Sequence, residues 1–397
     1  MKRKSKTKLA WKNLTHDWRR LVVALVGIAF AVLLMFSQVG FQNALFDSQV
    51  KLIADLDGDI FIVNKAKFTL AAEKRFDFVR IHQAKSCPGV LWAAPVYSEL
   101  TTSVLRKMEQ GKGNLGYPIR SIGFQPDVPL FKSTEIQQQT QRLNAPGVAL
   151  IDRKSKAKKF PFPMKDNEAL SRSNIELAGQ KLSLVGTFDS GTDFAHDGNL
   201  VMSAENFARY FPHRKRFGDP LSVVDIGVVK VKPDYDVEDV RGVLEKTLNK
   251  DVFVLTRQEY LEKEIHFWDK STPIGTIFTA GLIIGFVVGM VICYQVIYSD
   301  IADHMPEFAT LKAMGYPTRY FIMLIITEAI LLAVVGFLPG MIASHGLYSF
   351  LAGQTGLLMQ MDRYSVASVL AATIAMCIAS GLLAVRKLLA ADPASLF

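Results

Sequence analysis

Long apolar runs alternate with long polar stretches along the 397-residue chain. Four runs are long enough for a helix to cross a hydrocarbon core of about 30 Å, which takes about 20 residues. Because backbone groups in lipid must satisfy their own hydrogen bonds, these runs predict membrane-spanning helices. The predicted spans are residues 21–41, 273–297, 320–341 and 366–385.

The segment between the first two spans, residues 42–272, has a mixed pattern. The runs Gly58–Val63 and Ser222–Val229 are bounded by turn residues and predict strands. Residues 237–248 place their apolar side chains on one helical face. The sequence therefore predicts an α-helical membrane protein with four transmembrane helices and a large α+β extracytoplasmic domain between the first and second.

Charge predicts the orientation of the spans. The net charge is +9, and eight of the first twenty residues are Lys or Arg against one Asp. Such a basic flank is typical of the cytoplasmic side and of contact with membrane lipid, so the basicity does not indicate nucleic-acid binding. Four crossings then place residues 42–272 and 342–365 outside, and residues 298–319 and 386–397 inside.

The N-terminal segment, residues 1–20, has Trp11 and Trp18 at helical spacing among basic residues. This pattern predicts a basic interfacial helix, with an unstructured tail as the alternative. The first span is expected to be a retained anchor and not a signal peptide, because its apolar run is long and no small-residue cleavage site follows.

The sequence contains no familiar catalytic signature. It lacks the phosphate loop G-x-x-x-x-G-K-[ST], the zinc motif H-E-x-x-H and the nucleophile motif G-x-S-x-G. The seven histidines have no metal-ligand spacing, and only Cys87 of the three cysteines lies outside an apolar run. We therefore expect no enzyme activity, no cofactor bound by this chain, no metal and no internal disulfide in the outer domain.

Two charged segments of the outer domain each allow two interpretations. The segment FDSGTDFAHDGN holds Asp189, Asp193, His196 and Asp197, a density that suits a bound cation but also an ordinary turn. The basic run Arg153–Lys159 predicts either a solvated loop or a docking surface for an acidic partner.

Small and ionisable residues stand out inside the spans. Gly281, Gly285 and Gly289 recur every four residues on one face, a spacing that favours close helix packing or a dimer contact. Glu328 is the one clear ionisable residue within a span, and we expect it to form a hydrogen bond between helices. A single acid cannot line a polar route, so the membrane part is predicted to move and not to conduct.

The inside loop predicts a short helix from about Pro306 to Met314. Pro306 and Glu307 suit a first helical turn, and Gly315 suits the stop. An apolar stripe on this helix indicates a docking site for a cytoplasmic partner, with a simple connector between the spans as the alternative.

Several strings spread over the whole chain carry a family resemblance. They include LAWKNL before the first span, GDIFIVN after it, GFQPDVPLF at 123–131, YQVIYSDIADHMPEFATLKAMGY around the inside loop, and the tail RKLLAADPASLF. Their order and spacing resemble the DevC-type permease subunits of ABC exporters, within the broader MacB/FtsX-like group.

The resemblance implies a homodimer in the bacterial inner membrane with both termini in the cytoplasm. A separate cytoplasmic ABC ATPase subunit would use ATP, and the outer domain would dock a periplasmic membrane-fusion adaptor that leads to an outer-membrane channel. ATPase closure would be relayed to the outer domain by mechanotransmission and expel a lipid-like or amphiphilic substrate, such as a glycolipid, peptide or drug. The implied ATPase-coupling residues are Pro306, Glu307, Phe308, Thr310, Leu311, Lys312 and Gly315.

Two other functions share parts of this pattern. An FtsX-like transmembrane signalling relay, which activates a cell-wall hydrolase, would have the same membrane plan without an adaptor. A membrane-anchored enzyme with an active outer domain is disfavoured by the missing motifs. Co-purification of an adaptor or of a hydrolase separates export from signalling.

Overall fold

The computed structural model describes residues 18–108, 115–156, 158–193, 196–214, 218–355 and 359–390. Their contacts divide them into two compact units. The membrane unit comprises the described parts of 1–43, 273–352 and 359–397, and the domain unit comprises those of 44–272 and 353–358. The predicted interfacial helix at 1–20 lies outside the described residues except for its last three positions.

The described residues form helices and strands in the following order. The helices are α1 (Trp18–Asp55), α2 (Val79–Lys85), α3 (Thr134–Gln139), α4 (Asn167–Ser171), α5 (Ala204–Tyr210), α6 (Val237–Thr247), α7 (Arg257–Lys270), α8 (Pro273–Asp303), α9 (Met305–Ala313), α10 (Thr318–Thr355) and α11 (Arg363–Ala390). The strands are β1 (Ile60–Asn64), β2 (Phe76–Asp77), β3 (Val90–Glu99), β4 (Val104–Lys107), β5 (Gly116–Pro118), β6 (Arg120–Phe124), β7 (Val148–Asp152), β8 (Ile175–Leu177), β9 (Gln180–Phe188), β10 (Asn199–Ser203), β11 (Val223–Val224), β12 (Ile226–Val231) and β13 (Val252–Thr256).

Four helices within the described residues, α1, α8, α10 and α11, are long and apolar enough to cross a membrane. Two of them continue well beyond the predicted spans. α1 continues to Asp55. Its last turns carry Leu52 and Ile53, whose side chains are buried in the core of the domain unit. α10 ends at Thr355, so much of the predicted outside loop 342–365 is helical. Tyr348 holds this extension, since its hydroxyl donates a 2.5 Å hydrogen bond to the Phe36 carbonyl.

The domain unit is built on one large sheet. Its strand order is β13-β1-β12-β3-β6-β10-β7-β9-β8-β4-β5, and β2 pairs separately with β11. The pairs β6/β10 and β7/β9 are parallel, and the other described pairs are antiparallel.

The central strands are buried on both faces, which explains their continuous apolar runs. Along β1, Ile60 and Ile62 belong to one hydrophobic core, whereas Phe61 and Val63 belong to the other. This division follows from the two-residue period of a strand. Helices cover the two cores, so the predicted fold class of four apolar helices with a large α+β domain between the first two is confirmed.

Candidate functional site

The short helix α9 lies between the spans α8 and α10, as predicted. It begins at Met305 and ends at Ala313. Pro306 occupies its first turn, where a missing N–H costs no helical hydrogen bond. Gly315 follows the helix with φ +89°, a left-handed conformation that favours glycine and stops the helix.

The surface of α9 is largely exposed within the chain. Pro306, Glu307, Thr310 and Gly315 are exposed, and Leu311 is half-buried. The side chains of Phe308 and Lys312, the other two predicted coupling residues, lie outside the described residues. This helix can therefore present a charged residue and a polar residue to another molecule.

A polar cluster lies at the base of α9. His304 Nδ1 donates to the Asp300 carbonyl at 3.0 Å and lies 3.6 Å from Asp300 Oδ1. Glu328 on α10 is 3% exposed, and its carboxyl group lies near that of Asp300 on α8. Sequence spacing did not indicate Asp300 as the neighbour of Glu328, and the hydrogen bond between helices expected of Glu328 stays a prediction.

The glycine stripe of α8 packs against α1 of the same chain. A Cβ atom on Gly281 would lie 2.5 Å from Gln38 Cδ, and one on Gly289 would lie 2.6 Å from Ala31 Cβ. A Cβ atom on Gly285 would lie 3.4 Å from Leu34 Cβ. The predicted close helix contact is therefore made inside one chain. A dimer contact through this stripe stays a prediction.

α1 is held in the same way by α10. A Cβ atom on Gly336 would lie 2.7 Å from Ile28 Cγ2, and one on Gly340 would lie 2.7 Å from Val32 Cβ. α1 thus approaches two spans closely through glycines on both. Such small-residue contacts let helix backbones pack tightly in lipid.

The acidic segment of the domain is neutralised by basic side chains. Asp193 is buried, accepts a 2.5 Å hydrogen bond from Arg120 and lies 2.7 Å from His196 Nδ1. Burial raises the pKa of Asp193, but Arg120 and His196 outweigh it and hold that pKa well below its usual range. No cluster of three or more metal-ligating side chains occurs in the part of the chain that the structure describes. Basic side chains therefore already neutralise Asp193 and Asp197 in this segment.

The basic run pairs largely with the same acidic segment. Arg153 bonds to Asp189 at 2.8 Å and also pairs with Glu135. Lys156 and Lys159 donate to Asp197 at 2.9 and 2.6 Å. Each segment therefore supplies partners for the other, and these basic residues hold the domain together instead of offering an unpaired docking surface.

A buried charge network in the domain was missed by sequence reasoning. Arg214 has no exposed side-chain surface, and it pairs with Asp225 and donates to the Ser98 carbonyl at 2.8 Å. Arg75 lies 3.2 Å from Glu99 and 3.3 Å from Asp225. Its members come from distant parts of the chain, so no local pattern could reveal it.

Comparisons with known proteins give one sequence match. Residues 277–393 match the family model described as FtsX-like permease C-terminal. No curated protein matches the chain.

Three solved structures resemble about half of the chain. The periplasmic region of MacB from Actinobacillus actinomycetemcomitans is 13% identical over 51% of this chain and 90% of its own, with a TM-score of 0.34. The extracellular domain of the noncanonic ABC-type transporter YknZ from Gram-positive bacteria is 13% identical over 50% and 99%, with a TM-score of 0.31. A domain of a putative permease from Porphyromonas gingivalis is 11% identical over 50% and 86%, also with a TM-score of 0.31.

These structural similarities are low, so the assignment rests on the sequence match. The matched segment contains α9, α10, α11 and most of α8. It confirms the resemblance to the MacB/FtsX-like group, while the DevC type within that group stays a prediction. Residues 277–393 are therefore similar to the C-terminal domain of FtsX-like permeases.

Proposed function

We propose that this chain is the permease subunit of an ABC-type tripartite exporter, with both termini in the cytoplasm of a bacterial cell. A separate ATPase subunit binds and hydrolyses ATP and docks on α9. The observation that carries this proposal is the FtsX-like match over residues 277–393, which includes an exposed helix between two spans.

The contacts of the membrane unit support a mechanical relay. α9 follows α8 after one residue and precedes α10 after four, so a push on α9 acts on two spans directly. Glu328 and Asp300 bring α10 and α8 close to each other near α9. The glycine contacts of both spans with α1 pass the movement to a third helix.

Chain continuity leads from this bundle to the outer domain. α1 runs on to Asp55, where Leu52 and Ile53 enter the domain core. α8 follows α7 after only Ser271 and Thr272. Two chain crossings therefore carry movement into the domain, which we propose docks an adaptor and expels a lipid-like or amphiphilic substrate as part of a homodimer.

The test is affinity purification of the tagged chain from native membranes in mild detergent, with ATP hydrolysis assayed in the eluate. We expect Glu307→Arg and Leu311→Asp to abolish the associated ATPase activity while leaving the amount of membrane-inserted chain unchanged. Arg363→Ala is the control, because this exposed residue begins α11, beyond the connection from α10.

Retention of full ATPase activity by both α9 variants would contradict the docking site. Recovery of a cell-wall hydrolase without an adaptor would replace export by the signalling alternative. Hydrolysis of ATP by the chain purified alone would contradict the proposal that a separate subunit hydrolyses ATP.

A further inference from the structure

We propose that the outer domain rests on the bilayer through an aromatic foot formed by Phe68, Phe267 and Trp268, which inserts into the lipid headgroup layer. Phe68 is 55% exposed at the tip of the loop between β1 and β2. Its ring centroid lies 5.3 Å from that of Phe267, whose ring lies 5.6 Å from Trp268. The three rings form one continuous aromatic cluster.

A buried carboxylate fixes this loop to α7. Glu264 is 1% exposed and accepts hydrogen bonds from Thr69 Oγ1, from the Leu70 amide at 2.8 Å and from Trp268 Nε1 at 3.0 Å. Lys263 on the same helix donates to the Lys67 carbonyl at 2.9 Å. Burying a carboxylate is costly unless it is well bonded. Three hydrogen bonds satisfy Glu264, and they fix the buried Thr69 and Leu70 to α7 while the neighbouring Phe68 stays exposed.

The chain brings these rings close to the membrane. Phe267 lies three residues before the end of α7, a rise of about 4.5 Å. The three steps from Lys270 to Pro273, where the second span begins, cover at most about 11 Å. The backbone of Phe267 is therefore within about 16 Å of the span's first residue along the chain, a distance comparable with the headgroup layer plus the reach of a side chain.

Lipid fits the foot by chemistry as well as by distance. Tryptophan and other aromatic rings favour the membrane interface, where a ring meets the acyl boundary and a polar group stays wet. The exposed Lys65 stands three residues before Phe68, where it can meet lipid phosphates. The foot would give the domain a fulcrum beside the span, independent of what the protein transports.

The test measures the depth of residue 68 in the full-length chain, reconstituted into vesicles of phosphatidylcholine and phosphatidylglycerol. A spin label on Phe68→Cys is compared with one on Leu91→Cys, a position with 54% exposure in the same domain. The three native thiols are free and buried, so the unsubstituted chain treated with the label serves as the blank. Collision with oxygen reports lipid, and collision with a nickel chelate reports water.

We expect the label at 68 to collide several-fold more with oxygen than with nickel, and the label at 91 to show the reverse. As a second measurement, brominated lipids should quench Trp268 in a chain with Trp11, Trp18 and Trp92 replaced by Phe. Phe68→Asp should weaken that quenching, whereas Leu91→Asp should not. The proposed membrane contact would be overturned by equal nickel access at both positions, by shielding of the label at 68 from both reagents, or by absence of quenching of Trp268. None of these outcomes would change the result of the ATPase co-purification.

Discussion

The membrane unit and the domain unit hold their helices and strands together by opposite means. The spans approach one another through glycines, and the buried Glu328 of α10 lies near the half-buried Asp300 of α8. The domain instead buries full charges, including Arg214 and Asp225, each within 2% of complete side-chain burial.

The difference follows from the surroundings of each unit. Lipid tails are as apolar as the spans, so burial of apolar surface does not favour helix association in the membrane. Close van der Waals packing between the helices stabilises their association instead. The domain folds out of water, where burial of apolar strands supplies the driving force and charges must find partners. Stability should thus depend on shape in one unit and on charge pairing in the other.

Removing a buried charge from the domain should have the largest effect. Arg214→Met keeps an apolar side chain but leaves Asp225 and Glu99 with Arg75 as their remaining guanidinium partner. Breaking a buried ion pair from one side costs about 3–5 kcal/mol. We expect the domain transition in a thermal melt of the full chain in detergent to fall by roughly 10 °C.

The matched control for Arg214 is Arg241→Met on α6. Arg241 is partly exposed and pairs with Glu238 and Glu245 on its own helix. Exposed helical pairs contribute less than about 1 kcal/mol, so this variant should melt close to the unsubstituted chain. An equal fall in melting temperature in both variants would show that the buried ion pairs stabilise the domain no more than the exposed pairs do.

Shape should dominate in the membrane unit. Gly289→Ala places a methyl group against Met376 and Ala31. Overpacking of this kind costs about 1–3 kcal/mol. We expect faster loss of the folded bundle in a detergent-challenge assay, with no change in the domain transition.

Gly346→Ala separates crowding from the substitution itself. Like Gly289, Gly346 lies in the membrane unit, but on α10 and not on α8. An added Cβ atom at Gly346 meets no described atom within 4 Å. This variant should be neutral or slightly more stable, because alanine is the better helix former. A loss equal to that of Gly289→Ala would contradict packing through the glycine stripe.

The sequence predicted the membrane unit far better than the domain. Spans, the helix at α9 and the stop at Gly315 all depend on residues close together in the chain, and those signals are local. The extension of α1 to Asp55 was missed because hydropathy marks where lipid ends and not where a helix ends. The spacing of Gly281, Gly285 and Gly289 predicts a close helix contact but does not identify the helix that makes it, which is α1 in this chain.

The domain shows the opposite limit. The strands β1 and β12 were predictable from local apolar runs, whereas the sheet order brings together residues that no spacing relates. Arg153 and Asp189 illustrate this, since a basic run and an acidic segment each had two interpretations until they proved to be partners. The aromatic foot likewise joins Phe68 to Phe267 across most of the domain sequence.

The smallest effect should come from the partly exposed pairs of Asp197. Burial raises the pKa of Asp197, but hydrogen bonds from Lys159 and Lys156 outweigh it and lower that pKa below its usual value. A depressed carboxyl pKa adds stability above the unfolded pKa of about 4 and loses it as the pH falls through the folded pKa. The double variant Lys156→Met/Lys159→Met should therefore be about 1 kcal/mol less stable at pH 7 and converge with the unsubstituted chain near pH 3.

Urea unfolding of the full chain in detergent, repeated from pH 7 to pH 3, measures this convergence. Arg172→Met is the control, because its pair with Glu168 is more than 80% exposed on both sides and should change stability little at any pH. A constant difference across the pH range would mean that the two lysines act through packing alone. It would also return the basic run to its other interpretation, a surface kept for a partner, because charge pairing inside the domain would then no longer account for it.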